Sequence, residues 1–146
     1  MPHQILSPDF AASGQIDPAW NPGADQRVLA LARDGAGALY AGGLFDQAGG
    51  LARARVVRLV GPAGAGDPAW DAVLAGAAVR ALRVDGGQAL YAAGEIDSVA
   101  ASPCACVLRL DTVSGAADPD WRPAVQGRVD VLGAGPLGGL AVGGAF

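Results

Sequence analysis

Asp67-Pro68-Ala69-Trp70, continued by Val79-Arg80-Ala81-Leu82, Asp85-Gly86, Leu90-Tyr91-Ala92-Ala93-Gly94 and Val107-Leu108-Arg109-Leu110, decides the architecture because it overlays the residues on both sides of it. Asp17-Pro18-Ala19-Trp20 stands fifty positions earlier (67 − 17), and Asp118-Pro119-Asp120-Trp121 stands fifty-one later (118 − 67). Val79-Arg80-Ala81-Leu82 answers Val28-Leu29-Ala30-Leu31 and Val129-Asp130-Val131-Leu132. Leu90-Tyr91-Ala92-Ala93-Gly94 answers Leu39-Tyr40-Ala41-Gly42-Gly43 and Leu140-Ala141-Val142-Gly143-Gly144, and Val107 to Leu110 answers Val56-Val57-Arg58-Leu59. Several blocks in constant order at one period are the mark of a repeat architecture. The units run approximately 17–66, 67–117 and 118–146, the last incomplete; residues 1–16, with Ile5-Leu6, read as a strand remnant and a turn. The 146 residues are expected to form one repeat domain with one continuous core.

Each unit reads as short strands. Val28 to Arg33 and Val79 to Val84 are expected strands, and Asp34-Gly35 and Asp85-Gly86 supply turn chemistry for a hairpin to the next strand. The third unit has Gly133-Ala134-Gly135-Pro136 in place of Asp-Gly, so its hairpin should be looser or differently shaped. The second hairpin strands end in Gly42-Gly43-Leu44-Phe45, Ala93-Gly94-Glu95-Ile96 and Gly143-Gly144-Ala145-Phe146, and paired small residues in a strand imply close approach of another backbone. Outer strands at Arg53 to Val60 and Cys106 to Leu110 close the first two units. The Asp-Pro-x-Trp tetrapeptides suit an edge strand or its entry, since Pro donates no ladder hydrogen bond and holds the preceding Asp extended. No segment keeps an apolar period near 3.6, so the expected class is all-β.

Composition narrows the function. The formal charge is −4, and all ten basic residues are Arg, which argues against a surface that tracks nucleic acid phosphates. No apolar run is long enough to cross a bilayer, and the first residues lack the basic and apolar regions of a secretory signal. Cys104 and Cys106, two apart on one strand face, would make a strained disulfide and read as small buried thiols.

Four short strands in about fifty residues is the metre of a β-propeller blade. Gly66-Asp67-Pro68-Ala69-Trp70, the blocks that follow it, and Asp17-Pro18-Ala19-Trp20-Asn21-Pro22-Gly23 resemble the delta-60 repeat family of bacterial β-propellers. The likeness extends from about Gly14 to Phe146, with Ala93-Gly94-Glu95-Ile96 departing from the family's Gly-Gly-x-Phe. It implies a β-propeller-type repeat of about three blades of antiparallel strands, in large, often secreted or surface-attached proteins, and it transfers no catalytic residue. Closed propellers use typically four to eight blades. An incomplete ring is therefore expected, belonging to a larger protein or completed by self-association through open blade edges.

Candidate chemistry is sparse. His3 is the only imidazole, so the common nucleophile–His–carboxylate site is not expected, nor is a zinc site, and no cofactor or metal is implied. Trp20, Trp70 and Trp121 read as packing anchors, with a sugar-stacking platform as the functional alternative. Asp46 and Asp97 hold equivalent positions after the second strands, as do Asp34 and Asp85 in the turns; repetition favours turn-forming and solvated roles over a calcium or glycosidase-like cluster. The expected function is a non-catalytic scaffold or a module binding a protein or carbohydrate ligand. The alternative is an enzyme, glycosidase- or lyase-like, with a carboxylate site at the channel mouth completed by further blades.

Overall fold

The computed structural model describes residues 18–86, 88–99, 102–103, 107–123 and 125–146; His3, Ile5-Leu6, Asp17, Cys104 and Cys106 lie outside them. Among the described residues the chain is all-β, with a single 3-10 turn at Pro136–Gly138 and no α-helix.

Strand β1 (Val28–Arg33) pairs with β2 (Leu39–Gly43), which pairs on its other side with β5 (Val56–Val60), and β6 (Ala65–Gly66) completes this first antiparallel sheet. Between β2 and β5 lies a small hairpin of β3 (Gln47–Ala48) and β4 (Leu51–Ala52), which no sequence signal singled out. The second sheet runs β10 (Val107–Asp111), β8 (Ala89–Val99), β7 (Leu74–Asp85), with β9 (Ser102–Pro103) against the far end of β8. An isolated Leu110–Ala117 bridge stands where Leu59 faces Gly66 in the first sheet. Strands β11 (Arg128–Ala134) and β12 (Leu140–Ala145) form the third hairpin.

The first strand has its expected bounds. Strand β7 begins five residues before the expected Val79, because Leu74 and Ala75 pair with Val99 and Ser98. The first outer strand is shorter than expected: β5 begins at Val56, since Arg55 adopts φ 70° and turns the chain out of the ladder, whereas β10 runs one residue past Leu110 to Asp111. Asp67-Pro68-Ala69-Trp70 is a turn and not a strand: the Asp67 carboxylate accepts the Ala69 N–H at 3.0 Å, and Trp70 N–H reaches back to the Asp67 carbonyl at 3.1 Å. The third hairpin turns differently, as the missing Asp-Gly implied, through the Pro136–Gly138 turn with Leu137 at φ 57°.

The glycine pairs have a definite geometry. In all three hairpins the register slips at a corresponding place, between Val28 and Ala30, Val79 and Ala81, and Val129 and Val131, and the long β7–β8 pair slips twice more between Ala75 and Ala78. A bulge pushes one strand's backbone toward its partner. A Cβ on Gly43, Gly94 or Gly144 would lie 2.0, 2.3 or 2.2 Å from the carbonyl oxygen of Arg27, Ala78 or Arg128. The approaching backbone is thus the hairpin's own first strand. Gly42 serves a second purpose, since a Cβ there would meet the Val79 side chain at 2.5 Å.

The two faces of each sheet are used differently. Tyr40 and Val56 on one face of the first sheet join Trp70, Leu90, Leu108 and Leu110 in the largest core cluster. Ala41, Val57 and Leu59 on the opposite face pack with Trp20 and Phe45. The second sheet repeats the arrangement: Ala93 and Val107 pack with Val129 of β11, with Trp121, Leu132 and Val142 alongside.

Trp70 is fully buried, so Trp70→Ala is expected to lower unfolding free energy by about 3–5 kcal/mol in a urea titration. Gly94→Ala, which drives a methyl group into the Ala78 carbonyl, is expected to cost about 1–3 kcal/mol in the same measurement.

Candidate functional site

Arg58 and Arg109 occupy the third positions of the Val-x-Arg-Leu outer strands, where side chains alternate between faces. Their neighbours Val57, Leu59, Leu108 and Leu110 point into apolar clusters, so each Arg emerges on the opposite face, directly across from a Tyr of the adjacent strand. Arg58 pairs with the Asp67 carboxylate, and Arg109 pairs with Asp118 at 2.9 Å. The backbone repeats the link: Asp67 N–H donates to the Arg58 carbonyl at 2.8 Å, and Asp118 N–H to that of Arg109 at 2.9 Å. Tyr40 meets Trp70 edge-on at 5.6 Å, and Tyr91 meets Trp121 tilted at 5.3 Å.

The two surroundings then diverge. Asp34 is buried; one carboxylate oxygen accepts the Ala36 and Ala38 N–H groups at 3.0 and 2.9 Å, and the other accepts the Tyr40 hydroxyl at 3.1 Å. Arg58 Nε donates to that same hydroxyl at 3.3 Å. Burial raises the Tyr40 pKa above the ordinary phenol value, and the Asp34 charge adds to this, while the bond from Arg58 opposes it. Around Arg109 the network is thinner: Nε is buried and has no hydrogen-bond partner. Arg109 lines a groove of about 420 Å³ with Gln88, Asp111, Ser114, Asp118 and Pro119.

Charge in this groove is held in place. Hydrogen bonds from the Ser114 and Val113 N–H groups lower the Asp111 pKa. Asp118 is also lowered, first by the Asp120 N–H and then by Arg109. Both carboxylates are therefore ionised acceptors at neutral pH, suited to holding a ligand and not to donating a proton.

The aspartates singled out in the sequence are dispersed. Asp34 is committed to its own turn and to Tyr40, and Asp85 is exposed. Asp46 is exposed and pairs with Arg55 at 2.7 Å, whereas Asp97, expected after its strand, lies exposed within β8. Among the described residues no group of three or more His, Cys, Asp or Glu side chains could hold a metal ion. Nor, among them, is any helix long and apolar enough to cross a membrane. Trp70 offers no open ring face: it is fully buried, and its indole N–H donates to the Asp111 carbonyl at 3.0 Å. Trp20 is buried and Trp121 half-buried. The Arg–Asp pairs were missed in the sequence, although both partners recur at the same interval (109 − 58 and 118 − 67 are both fifty-one).

Removing the phenol tests the Tyr40 network. At pH 7, Tyr40→Phe is expected to cost about 1–2 kcal/mol, since Asp34 loses a donor. The raised Tyr40 pKa makes the neutral phenol the form the fold favours, so its contribution is present below about pH 10 and lost as pH rises through the folded value. Unfolding titrations at pH 7 and above pH 10 should show the variant losing less stability with alkali than the parent.

No family model matches the chain, and no curated protein and no solved structure matches it.

Proposed function

We propose that the chain is a non-catalytic binding module built from consecutive β-propeller-type units of the delta-60 kind, an incomplete ring of about three blades within a larger bacterial protein. One observation carries this reading: contacts between units recur fifty-one residues apart, while the polar lining of the groove does not. Trp70 lies against Tyr40 as Trp121 lies against Tyr91, and Arg58 holds Asp67 as Arg109 holds Asp118. Residues that repeat in this way support packing. Function is then sought where the units differ. Gln88, Asp111 and Ser114 of the groove stand where the first unit has Gly37, Val60 and Ala63.

A groove with an Arg donor, two ionised Asp acceptors, an amide and a hydroxyl suits a neutral, hydroxyl-rich ligand such as a carbohydrate, or a polar peptide segment. Calorimetric titration with oligosaccharides and peptides, with mass spectrometry of the recovered ligand, tests this. The expected result is saturable binding weakened by Gln88→Ala and Ser114→Ala, with the ligand returned unchanged. Conversion of the ligand that stops on Asp46→Asn or Asp97→Asn would instead establish an enzyme.

A further inference from the structure

The two Asp-Gly pairs of the chain hold the same place in consecutive hairpins, at the end of β1 and at the end of β7, and differ in what their carboxylates do. Asp34 is buried, and the Ala36 and Ala38 N–H groups and the Tyr40 hydroxyl occupy both of its oxygens. Asp85 is exposed, as is Gly86, and among the described residues its carboxylate has neither a hydrogen bond nor an ion pair. Gly86 adopts φ 55°, and a Cβ placed on it would meet nothing within 4 Å. Ring closure at an aspartate needs a carboxyl free to turn onto the next peptide nitrogen, and glycine in that next position obstructs it least. Asp85-Gly86 meets both conditions, whereas Asp34-Gly35 meets only the second.

We propose that Asp85-Gly86 is a site of aspartate isomerisation, and that the same dipeptide at Asp34-Gly35 is protected by the partners of its carboxylate. The Gly86 nitrogen attacks Asp85 Cγ and a C–N bond forms; the amide proton, one carboxylate oxygen and one proton from solvent leave as water, giving a cyclic succinimide. Water then opens the ring. Addition at the side-chain carbonyl restores aspartate, while addition at the main-chain carbonyl breaks that C–N bond and leaves isoaspartate, and in either case the solvent proton is returned. The isoaspartyl product is a substrate for carboxyl methyltransferases that use S-adenosylmethionine. In it an extra methylene joins the main chain, and a free carboxylate stands in place of the Asp85 carbonyl that accepts the Gln88 N–H at 3.2 Å. Gln88 lines the groove beside Arg109, and its own carbonyl accepts the Thr112 N–H at 3.4 Å, so the rearrangement reaches a groove residue directly.

The test incubates the full chain at neutral pH, folded and in parallel in urea, and fragments its digests by electron transfer, which distinguishes isoaspartate from aspartate. In the folded chain isoaspartate is expected to accumulate at residue 85, with residue 34 slower by about tenfold or more, because hydrogen bonds to its carboxylate must break before it can turn. In urea the two rates are expected to converge. Methyl transfer from S-adenosylmethionine by an isoaspartyl methyltransferase should label the folded chain in the peptide that holds residue 85, and Asp85→Glu, whose longer side chain closes a less favoured ring, should remove that label. A folded chain without isoaspartate at residue 85, or with equal amounts at 34 and 85, would overturn the proposal, as would a label that survives Asp85→Glu. A difference between the two sites that persists undiminished in urea would also overturn it, since local sequence and not the fold would then set the rates.

Discussion

Trp70 is the point at which two sheets become one core. Its ring contributes the largest fully buried side chain, packs edge-on against Tyr40 of the first sheet, and anchors to the second through its bond to the Asp111 carbonyl. Its own carbonyl accepts from Arg53 Nε at 3.0 Å. Apolar contact and hydrogen bonding thus fix the same residue from both sides. The Asp-Pro turn before it sets the direction from which the indole enters, because Asp67 is held by Arg58 and by the backbone of β5. A small sheet cannot bury its own apolar face; here Trp70 covers the Tyr40 and Val56 face of the first sheet, and Trp20 covers the opposite one.

Close approach within hairpins is the complementary constraint. The bulges at Val28, Val79 and Val129 bring a carbonyl to a distance that only glycine tolerates, and the three glycines stand at the corresponding places. Gly42 admits the Val79 side chain from the neighbouring sheet, whereas its counterpart Ala93 packs with the cluster around Val129. Gly43, Gly94 and Gly144 are therefore required by backbone geometry, whereas Gly42 sets the spacing to the neighbouring sheet.

Polar groups are partitioned by the same logic. Asp34, Tyr40 and Arg58 satisfy one another in a buried network, and the corresponding region of the second unit keeps the Arg–Asp pair but leaves Arg109 Nε without a partner beside a polar groove. The two sites share the Arg–Asp pair and differ in how completely their polar groups are satisfied.

By itself the sequence determined the all-β class, the hairpins joined at Asp34-Gly35 and Asp85-Gly86, the altered turn at Gly133 to Pro136, and the burial of Trp70. These features are local, or recur in step, and both kinds of signal are visible along a single chain. The Asp-Pro turn was read as a strand entry because proline's missing donor is common to both conformations; the decision came from the Asp67 side chain bonding to Ala69. Tertiary structure alone decided that the glycines face their own hairpin's bulge and that Asp34 serves Tyr40. It also dispersed Asp46 and Asp97 on the surface and set Gln88, Asp111 and Ser114 around Arg109. Such arrangements depend on which strands pair and on which face each residue points from, and a shift of one residue in register would reverse every one of those faces.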